Sequence, residues 1–297
     1  MTKGIVGFIG LGAMGQPMVR NLLVKGWSVV IAPRDHARAQ PLIDAGAQVV
    51  ADPAAMAPLV TVVIACLPDT ASVRDVLFGE RGLLADGRWE GIFVDSSTLP
   101  PQASRDLEVE LAAYGTRSLD APVSGGTQGA EAGTLSFMVG GPADVLDEVR
   151  AALQDMGSRV LRCGSSGAGQ VTKACNQLIV MSTVTAVAES LRLAEHAGVD
   201  PRTVREVLLG GYAKSPILEF HGVRIIDDDY VPGGRAIFHA KDITTIEELA
   251  GRAGLDLPLF EAVRGQFERL FANGGGDLDH SAVATLYPRA DATSTGD

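Results

Sequence analysis

The stretch that most constrains this chain is "GIVGFIGLGAMGQPMVRNLLVKG", residues 4–26. A short apolar run ends in Gly10-Leu11-Gly12-Ala13-Met14-Gly15, and an amphipathic segment follows at once. The pattern G-x-G-x-x-G is weak alone, but between a strand and a helix it acquires a physical job. Gly10 permits the tight turn, Gly12 lets the backbone approach a pyrophosphate, and Gly15 lets the helix pack on the strand. The helix N-terminus is then directed at the phosphates. These residues predict a dinucleotide site in the first strand-to-helix turn of a parallel sheet.

The rest of the N-terminal half agrees. Buried strands are expected at 4–10, 28–32, 61–67, 91–97 and 118–123, with "SFMVGG" and "RVLRCG" as two more. Amphipathic pieces such as "PQASRDLEVELAAYG" lie between them, the alternation of a parallel sheet wrapped by helices. After Gly164 the character changes. From Gln170 to Ala197 there is neither proline nor glycine, and Val171, Leu178, Val184 and Leu191 recur at helical spacing. About 28 residues of helix would span roughly 40 Å. Further helices are expected at 201–209, 215–226, 236–253 and 258–272, with "GLDLP" and "NGGGD" as breaks. The organisation predicted is an α/β domain over 1–164 and an all-α domain over 165–288, joined by the long helix. A polar tail, 289–297, is expected to be disordered.

Bulk properties narrow the partners. A chain of 297 residues suits two domains, and 46% hydrophobic with 21% charged residues is globular composition. The net charge of −11 argues against nucleic acid or an anionic membrane as partner. No window reaches the ~20 apolar residues of a membrane span. The apolar N-terminus is broken by glycines and has no signal-peptide cleavage site. Cys66, Cys163 and Cys175 show no metal-type spacing and are expected as small core residues, a usage that suits a reducing cytoplasm.

The cofactor's ribose would lie at the end of the second strand, "VVIAPRDHAR". Arg34, with Arg38 one helical turn on, fits a 2′-phosphate and so NADP. Asp35 fits a ribose hydroxyl instead and so NAD.

Five ordered stretches then carry a resemblance: "GFIGLGAMG", "CLPDT", "VDSST", "LDAPVSGGTQGAEAGTL" and "GAGQVTKACNQ", followed by "KD" at 241–242. Over roughly residues 4–287 the chain resembles the β-hydroxyacid dehydrogenases, the group of 3-hydroxyisobutyrate dehydrogenases and tartronate semialdehyde (2-hydroxy-3-oxopropionate) reductases. The resemblance implies a Rossmann domain, a helical domain, an active site in the cleft between them, and a homodimer or homotetramer. It implies that Lys173 is the catalytic lysine and that Ser124-Gly125-Gly126 holds the substrate carboxylate. It also implies that Leu67, Pro68, Thr98 and Lys241 surround the cofactor.

Residue chemistry stands beside those implications. Pro68 and Thr98 follow strands, where ligands of open parallel sheets bind. A serine beside two glycines exposes backbone N–H groups, a nest for a carboxylate. Lys173, Asn176, Gln177 and Val180 share one helix face. A lysine losing hydration on such a face has its charged form disfavoured, which suits a group that must give and take a proton near neutrality. Asn176 and Gln177 would orient the substrate, and the Gln177 amide could meet both the ammonium and a substrate hydroxyl. No His, Cys and carboxylate cluster offers a metal site, and His239 reads as structural.

The reaction expected is hydride exchange between a nicotinamide and a small 3-hydroxy acid or its semialdehyde, with Lys173 as general acid and base. Imine reductases resemble this group but usually lack a lysine at position 173. A cofactor-binding scaffold without turnover would have lost the lysine or the serine-glycine loop, and both are present. Two positions depart from the family pattern: Gln177 stands where asparagine is usual, and Gly234 where an aromatic is usual. Gly234 beside Arg235 predicts a roomier or more polar pocket wall.

Overall fold

The computed structural model describes residues 3–290. The chain divides into two compact units, one ending at Lys173 and the other beginning at Ala174.

The first unit opens with β1 (Ile5–Ile9), α1 (Gly15–Val24), β2 (Ser28–Ile31), α2 (His36–Asp44) and the two-residue β3 (Gln48–Val49). The short α3 (Pro53–Met56) leads to β4 (Val62–Ala65), α4 (Thr70–Phe78), β5 (Ile92–Asp95), α5 (Pro101–Ala113) and β6 (Arg117–Asp120). These six strands pair in parallel in the order β3-β2-β1-β4-β5-β6. The chain runs outward from β1 in one direction, then returns to β1's other side as β4, so the switch point lies at the exit of β1.

Strand composition explains the sheet's burial. Along β4 and β5, Ile64, Ile92 and Val94 join the core on one face, while Val63, Ala65 and Phe93 join the core on the other. Both faces are covered, so the strands read as unbroken apolar runs rather than alternating ones.

The end of the sheet differs from the sequence reading in one respect. "SLDAPV" forms two strands, β6 and then β7 (Val123–Ser124). Pro122, which has no N–H to give to a ladder, lies in the break between them, and β7 leaves the parallel order to pair antiparallel with β8 (Leu135–Gly140). Between them lies α6 (Gly126–Ala132), and α7 (Ala143–Gln154) then leads to β9 (Gly157–Gly164), parallel to β8.

The long helix is α8 (Ala168–His196), one unbroken span of 29 residues that ends two residues before Gly198. The division between the two units falls inside it. In the second unit α8 contributes Met181, Val184, Ala188 and Leu191 to a core completed by α11 (His239–Ala253) and α12 (Pro258–Ala272) through Ile243, Ile246, Phe260, Val263 and Phe267. Before these, α9 (Pro201–Leu209) starts where Asp200 accepts hydrogen bonds from the Arg202 and Thr203 N–H groups. The helix expected at 215–226 is a π-helical turn, Ile217–His221, running into α10 (Gly222–Asp227). Arg205 bonds the carbonyls of Leu218 and Glu219 there, drawing acceptors out of the regular ladder.

The cysteine expectation is corrected: Cys163 and Cys175 are exposed and Cys66 half-buried. β9 pairs with β8, and most of its residues, Cys163 among them, are exposed. Of the tail expected to be disordered, residues 291–297 lie outside the described residues, while Arg289 donates to Glu195 at 2.9 Å. Among the described residues no helix is long and apolar enough to cross a membrane.

Candidate active site

At the exit of β1, two glycines leave no room for a side chain. Gly10 has φ +100°, and a Cβ there would lie 2.2 Å from the Cys66 carbonyl oxygen. At Gly15 it would lie 1.8 Å from the Gly10 carbonyl oxygen. Gly12 is the opposite case, since a Cβ there would meet no protein atom within 4 Å. Helix α1 has no capping side chain at Met14 and no acid in its first turn. Its positive end therefore adjoins open space at the sheet's switch point, the cradle a pyrophosphate needs. The residues fit a dinucleotide.

Beyond β2, Pro33 is buried and Arg34 exposed. Asp35 is the N-cap of α2, its Oδ1 accepting from the Arg38 N–H at 3.1 Å. The carboxylate that could have served a ribose hydroxyl is engaged by its own helix.

The loops after β4 and β5 are tied together. The Leu67 N–H donates to Ser97 Oγ at 2.8 Å, and the Ser97 N–H donates to Asp95 Oδ1 at 2.9 Å. These bonds fix the backbone carrying Leu67 and Pro68 beside the backbone carrying Thr98, both on the carboxyl edge of the sheet.

The same edge captures the start of α8. Gln170, 1% exposed, donates from Nε2 to the Ser97 carbonyl at 2.9 Å and accepts at Oε1 from the Leu99 N–H at 3.1 Å. Asp120, at the end of β6, accepts from the Gly167 N–H at 2.7 Å and the Gln170 N–H at 3.0 Å. Burial pushes the Asp120 carboxyl up to about 6, against those hydrogen bonds, which pull it down. Gly169 permits the approach, since a Cβ there would lie 2.7 Å from Asp120 Oδ2. Lys173, half-buried, follows Gln170 by three residues on this anchored turn.

Ser124 ends β7 opposite Ser136. Gly125 and Gly126 follow with φ +129° and +62°, conformations other residues rarely adopt, and a Cβ on Gly126 would meet nothing within 4 Å. The loop exposes main chain rather than side chains.

In the second unit, the Asn176 amide donates to Gln177 Oε1 at 2.9 Å, and Gln177 Nε2 donates to Asp242 Oδ2 at 2.6 Å. Lys241 and Asp242 lie in the first turn of α11. A Cβ on Gly234 would meet nothing within 4 Å.

Of the residues singled out in the sequence, Gly10, Leu11, Gly12, Ala13, Met14, Gly15, Arg34, Leu67, Pro68, Thr98, Ser124, Gly125, Gly126 and Lys173 fall in the first unit, and Asn176, Gln177 and Lys241 in the second. Sequence reading passed over Asp120, Gln170 and Asp242. The signal for Asp242 was available: His239 and Asp242 are spaced i, i+3 on a predicted helix. Asp120 and Gln170 stood inside quoted motifs, but their partners lie 47 to 73 residues away.

A glycine turn at the switch point of a Rossmann sheet, with a lysine-bearing helix anchored to the same edge, defines the class as an NAD(P)-dependent dehydrogenase. The comparisons with known proteins agree. Residues 5–164 match the NAD-binding domain of 6-phosphogluconate dehydrogenase, and residues 167–287 match the NAD-binding family of NADP-dependent 3-hydroxyisobutyrate dehydrogenase. The chain is 38% identical over 278 residues to 2-hydroxy-3-oxopropionate reductase of Escherichia coli K12, covering 94% of this chain and 95% of that one. It is similar to the crystal structure of 3-hydroxyisobutyrate dehydrogenase from Salmonella typhimurium, with TM-score 0.88 and 28% identity, over 96% of this chain and all of that one. An imine reductase of Streptomyces aurantiacus is more distant, with TM-score 0.62 and 24% identity over 96% of this chain and 100% of that one, and shares the fold. The chain belongs to the 3-hydroxyisobutyrate dehydrogenase family of NAD(P)-dependent oxidoreductases, which act on CH–OH donors.

Proposed function

We propose that this enzyme interconverts a small 3-hydroxy acid and its semialdehyde, with Lys173 as the proton-transfer residue. The observation that carries the reading is the anchoring of Lys173. Through Gln170 and Asp120 its turn of α8 is fixed to the sheet edge that also bears the glycine turn and the Ser124 loop. The nicotinamide, when bound, supplies or accepts the hydride.

Lys173 Nζ takes the hydroxyl proton in oxidation and returns it to the carbonyl oxygen in reduction. The backbone N–H groups of Ser124, Gly125 and Gly126 hold the substrate carboxylate. Asn176 and Gln177 orient the substrate, their amides held in turn by Asp242. Leu67, Pro68, Thr98 and Lys241 surround the cofactor, and Arg34 receives the 2′-phosphate of NADP. The NADP preference is supported by the capping role of Asp35. A Gly234 that opens on empty space favours a substrate bulkier or more polar than a methyl-bearing acid.

In this reading residues 1–164 bind the dinucleotide and residues 165–288 bind substrate and form the oligomer, a homodimer or homotetramer in the cytoplasm. The partners are small carboxylates, with neither nucleic acid nor membrane among them. A panel of 3-hydroxyisobutyrate, tartronate semialdehyde, serine, threonate and larger analogues, assayed with both cofactors, tests the proposal. Turnover confined to cyclic imines would overturn it.

A further inference from the structure

The Gln177 amide is tied at both ends. Its Oε1 accepts from Asn176 at 2.9 Å, and its Nε2 donates to Asp242 Oδ2 at 2.6 Å. Asparagine is usual at this position. From the same backbone site an asparagine is shorter by one C–C bond, about 1.5 Å, and would leave the Asp242 contact beyond hydrogen-bond range. The extra methylene of Gln177 is what lets α8 reach the first turn of α11.

Asp242 is 5% exposed, and a carboxylate withdrawn from water in this way needs donors. Its Oδ2 has a second one on its own helix. His239 Nδ1, three residues back on α11, lies 3.1 Å from the same oxygen. One oxygen thus receives a donor from α8 and a donor from α11. The His239 ring is buried and held on its other side as well. Its Nε2 lies 3.0 Å from His280 Nδ1, the two rings being only 6° from parallel, and Phe267 of α12 packs edge-on against it. His221 continues the row, its Nε2 3.1 Å from His280 Nε2. An imidazole engaged at both nitrogens and packed by a ring cannot turn without breaking one of these contacts.

We propose that His239, which the sequence alone presents as structural, is a positioning residue for the substrate: through Asp242 it fixes the orientation of the Gln177 amide. The functional half rests on the reading of Gln177 given above. A carboxamide has a donor end and an acceptor end, and a half-turn about its last bond exchanges them. An ionised carboxylate only accepts, so Asp242 selects Nε2 as the end that faces it. Oε1 is thereby directed at Asn176, which turns its own Nδ2 to meet it. The order of donors and acceptors along this helix face follows from where the carboxylate oxygen lies, and His239 holds that oxygen in place. Nδ1 carries the proton of this contact, because the hydrogen bond a ring nitrogen makes decides which nitrogen is protonated. One proton on the ring suffices.

The test uses the full-length enzyme and a double-mutant cycle with Gln177→Leu. His239→Phe keeps a ring to pack on Phe267 and loses the donor. His239→Asn places a side-chain N–H close to where Nδ1 stood. In the phenylalanine variant kcat/KM for the hydroxy acid should fall about tenfold, the loss of a hydrogen bond to a charged group, with cofactor KM unchanged. The asparagine variant should recover most of that loss. On the Gln177→Leu background no amide remains to be oriented, so His239→Phe should change kcat/KM by less than about twofold. Equal effects of His239→Phe on the two backgrounds would overturn the proposal. An asparagine variant as impaired as the phenylalanine one would do the same.

A spectrum of the wild-type enzyme decides even where a variant does not fold. With 15N-labelled histidine at pH 7, His239 Nδ1 should carry a proton, and a bare Nδ1 would be enough to refute the assignment. An enzyme that turns over none of the hydroxy acids would sink the substrate reading instead. The Gln177 side-chain amide resonance then gives the answer: it should shift in His239→Phe and return in His239→Asn, and a resonance unmoved by either change would show that His239 does not act on Gln177.

Discussion

Gln170 grips Ser97 across 73 residues of sequence, its Nε2 donating to the Ser97 carbonyl at 2.9 Å while its Oε1 accepts from the next residue but one. A single buried amide thus joins the first turn of α8 to the loop after β5. Gln170→Leu keeps the volume and leaves a buried carbonyl and a buried N–H unpartnered. Denaturant unfolding should show a loss of about 2–6 kcal/mol, from two such groups at about 1–3 each. The kcat should fall as well, since Lys173 rides on that turn.

Asp120 gives a pH dependence with a definite sign. Its carboxyl titrates at about 6 in the folded chain against 3.8 in the unfolded one. The folded state therefore binds more protons between about pH 4 and 6, and Asp120's contribution to stability declines as pH rises through that window. The decline is on the order of 3 kcal/mol, at 1.36 kcal/mol per pKa unit. Unfolding free energy measured from pH 4 to 7 should show this slope in wild type and lose it in Asp120→Asn. The asparagine variant should also be weaker at its minimum, because one oxygen must serve both the Gly167 and Gln170 N–H groups.

The cap on α2 separates two roles at the ribose end. Arg34→Ala should raise KM for NADPH about 10- to 100-fold, the range for charge-assisted bonds to phosphate, and leave NADH nearly untouched. Asp35→Ala should instead cost about 1 kcal/mol of stability through the lost cap. A wild-type enzyme that prefers NADH by a wide margin would refute the assignment of Arg34.

Lys173→Ala should lower kcat by about 10²–10⁴-fold, the range for a general acid-base group, with cofactor KM unchanged. Steady-state rates in both directions check this, since the proposed role has one residue serve oxidation and reduction.

Gln177→Leu removes one hydrogen bond each from the Asn176 amide and the Asp242 carboxylate. Transition-state stabilisation should drop by about 1–3 kcal/mol, read as kcat/KM. Gln177→Asn retracts the amide by one methylene and should reorder the substrate panel while sparing cofactor KM.

Much of this was legible in the chain. The central strands announce themselves because both faces of the sheet are covered, so "TVVIACL" and "GIFVDSS" need no alternation to be recognised. α9 was readable from Asp200-Pro201, a cap followed by the residue best suited to the first helical position. β3 was not, since two residues carry no periodicity. Nor was the break in "SLDAPV", where the change to antiparallel pairing is decided by β8, fifteen residues from Asp120 in sequence. In the candidate site, the glycines and the lysine could be singled out in sequence because the patterns that mark them are local to a turn or a helix face. Asp120 and Gln170 do theirs across the fold, and the three histidines, set apart at 221, 239 and 280, become neighbours only when α11 and the turns carrying His221 and His280 are packed together.

Several helices here carry their own aspartate at the entrance: Asp35 for α2, Asp52 for α3, Asp69 for α4 and Asp200 for α9. α1, the one that follows the glycine turn, carries none. A polar cap contributes about 1 kcal/mol wherever geometry allows it, so its omission at Met14 is a standing deficit in the resting protein. The dinucleotide's phosphates supply the missing anion from solution. Ligand that binds only the folded chain adds stability in proportion to the logarithm of its concentration. The fold's endurance in a cell is thereby linked to the local supply of pyridine nucleotide, and an aspartate at position 14 would trade that linkage for intrinsic robustness and a weaker hold on the cofactor.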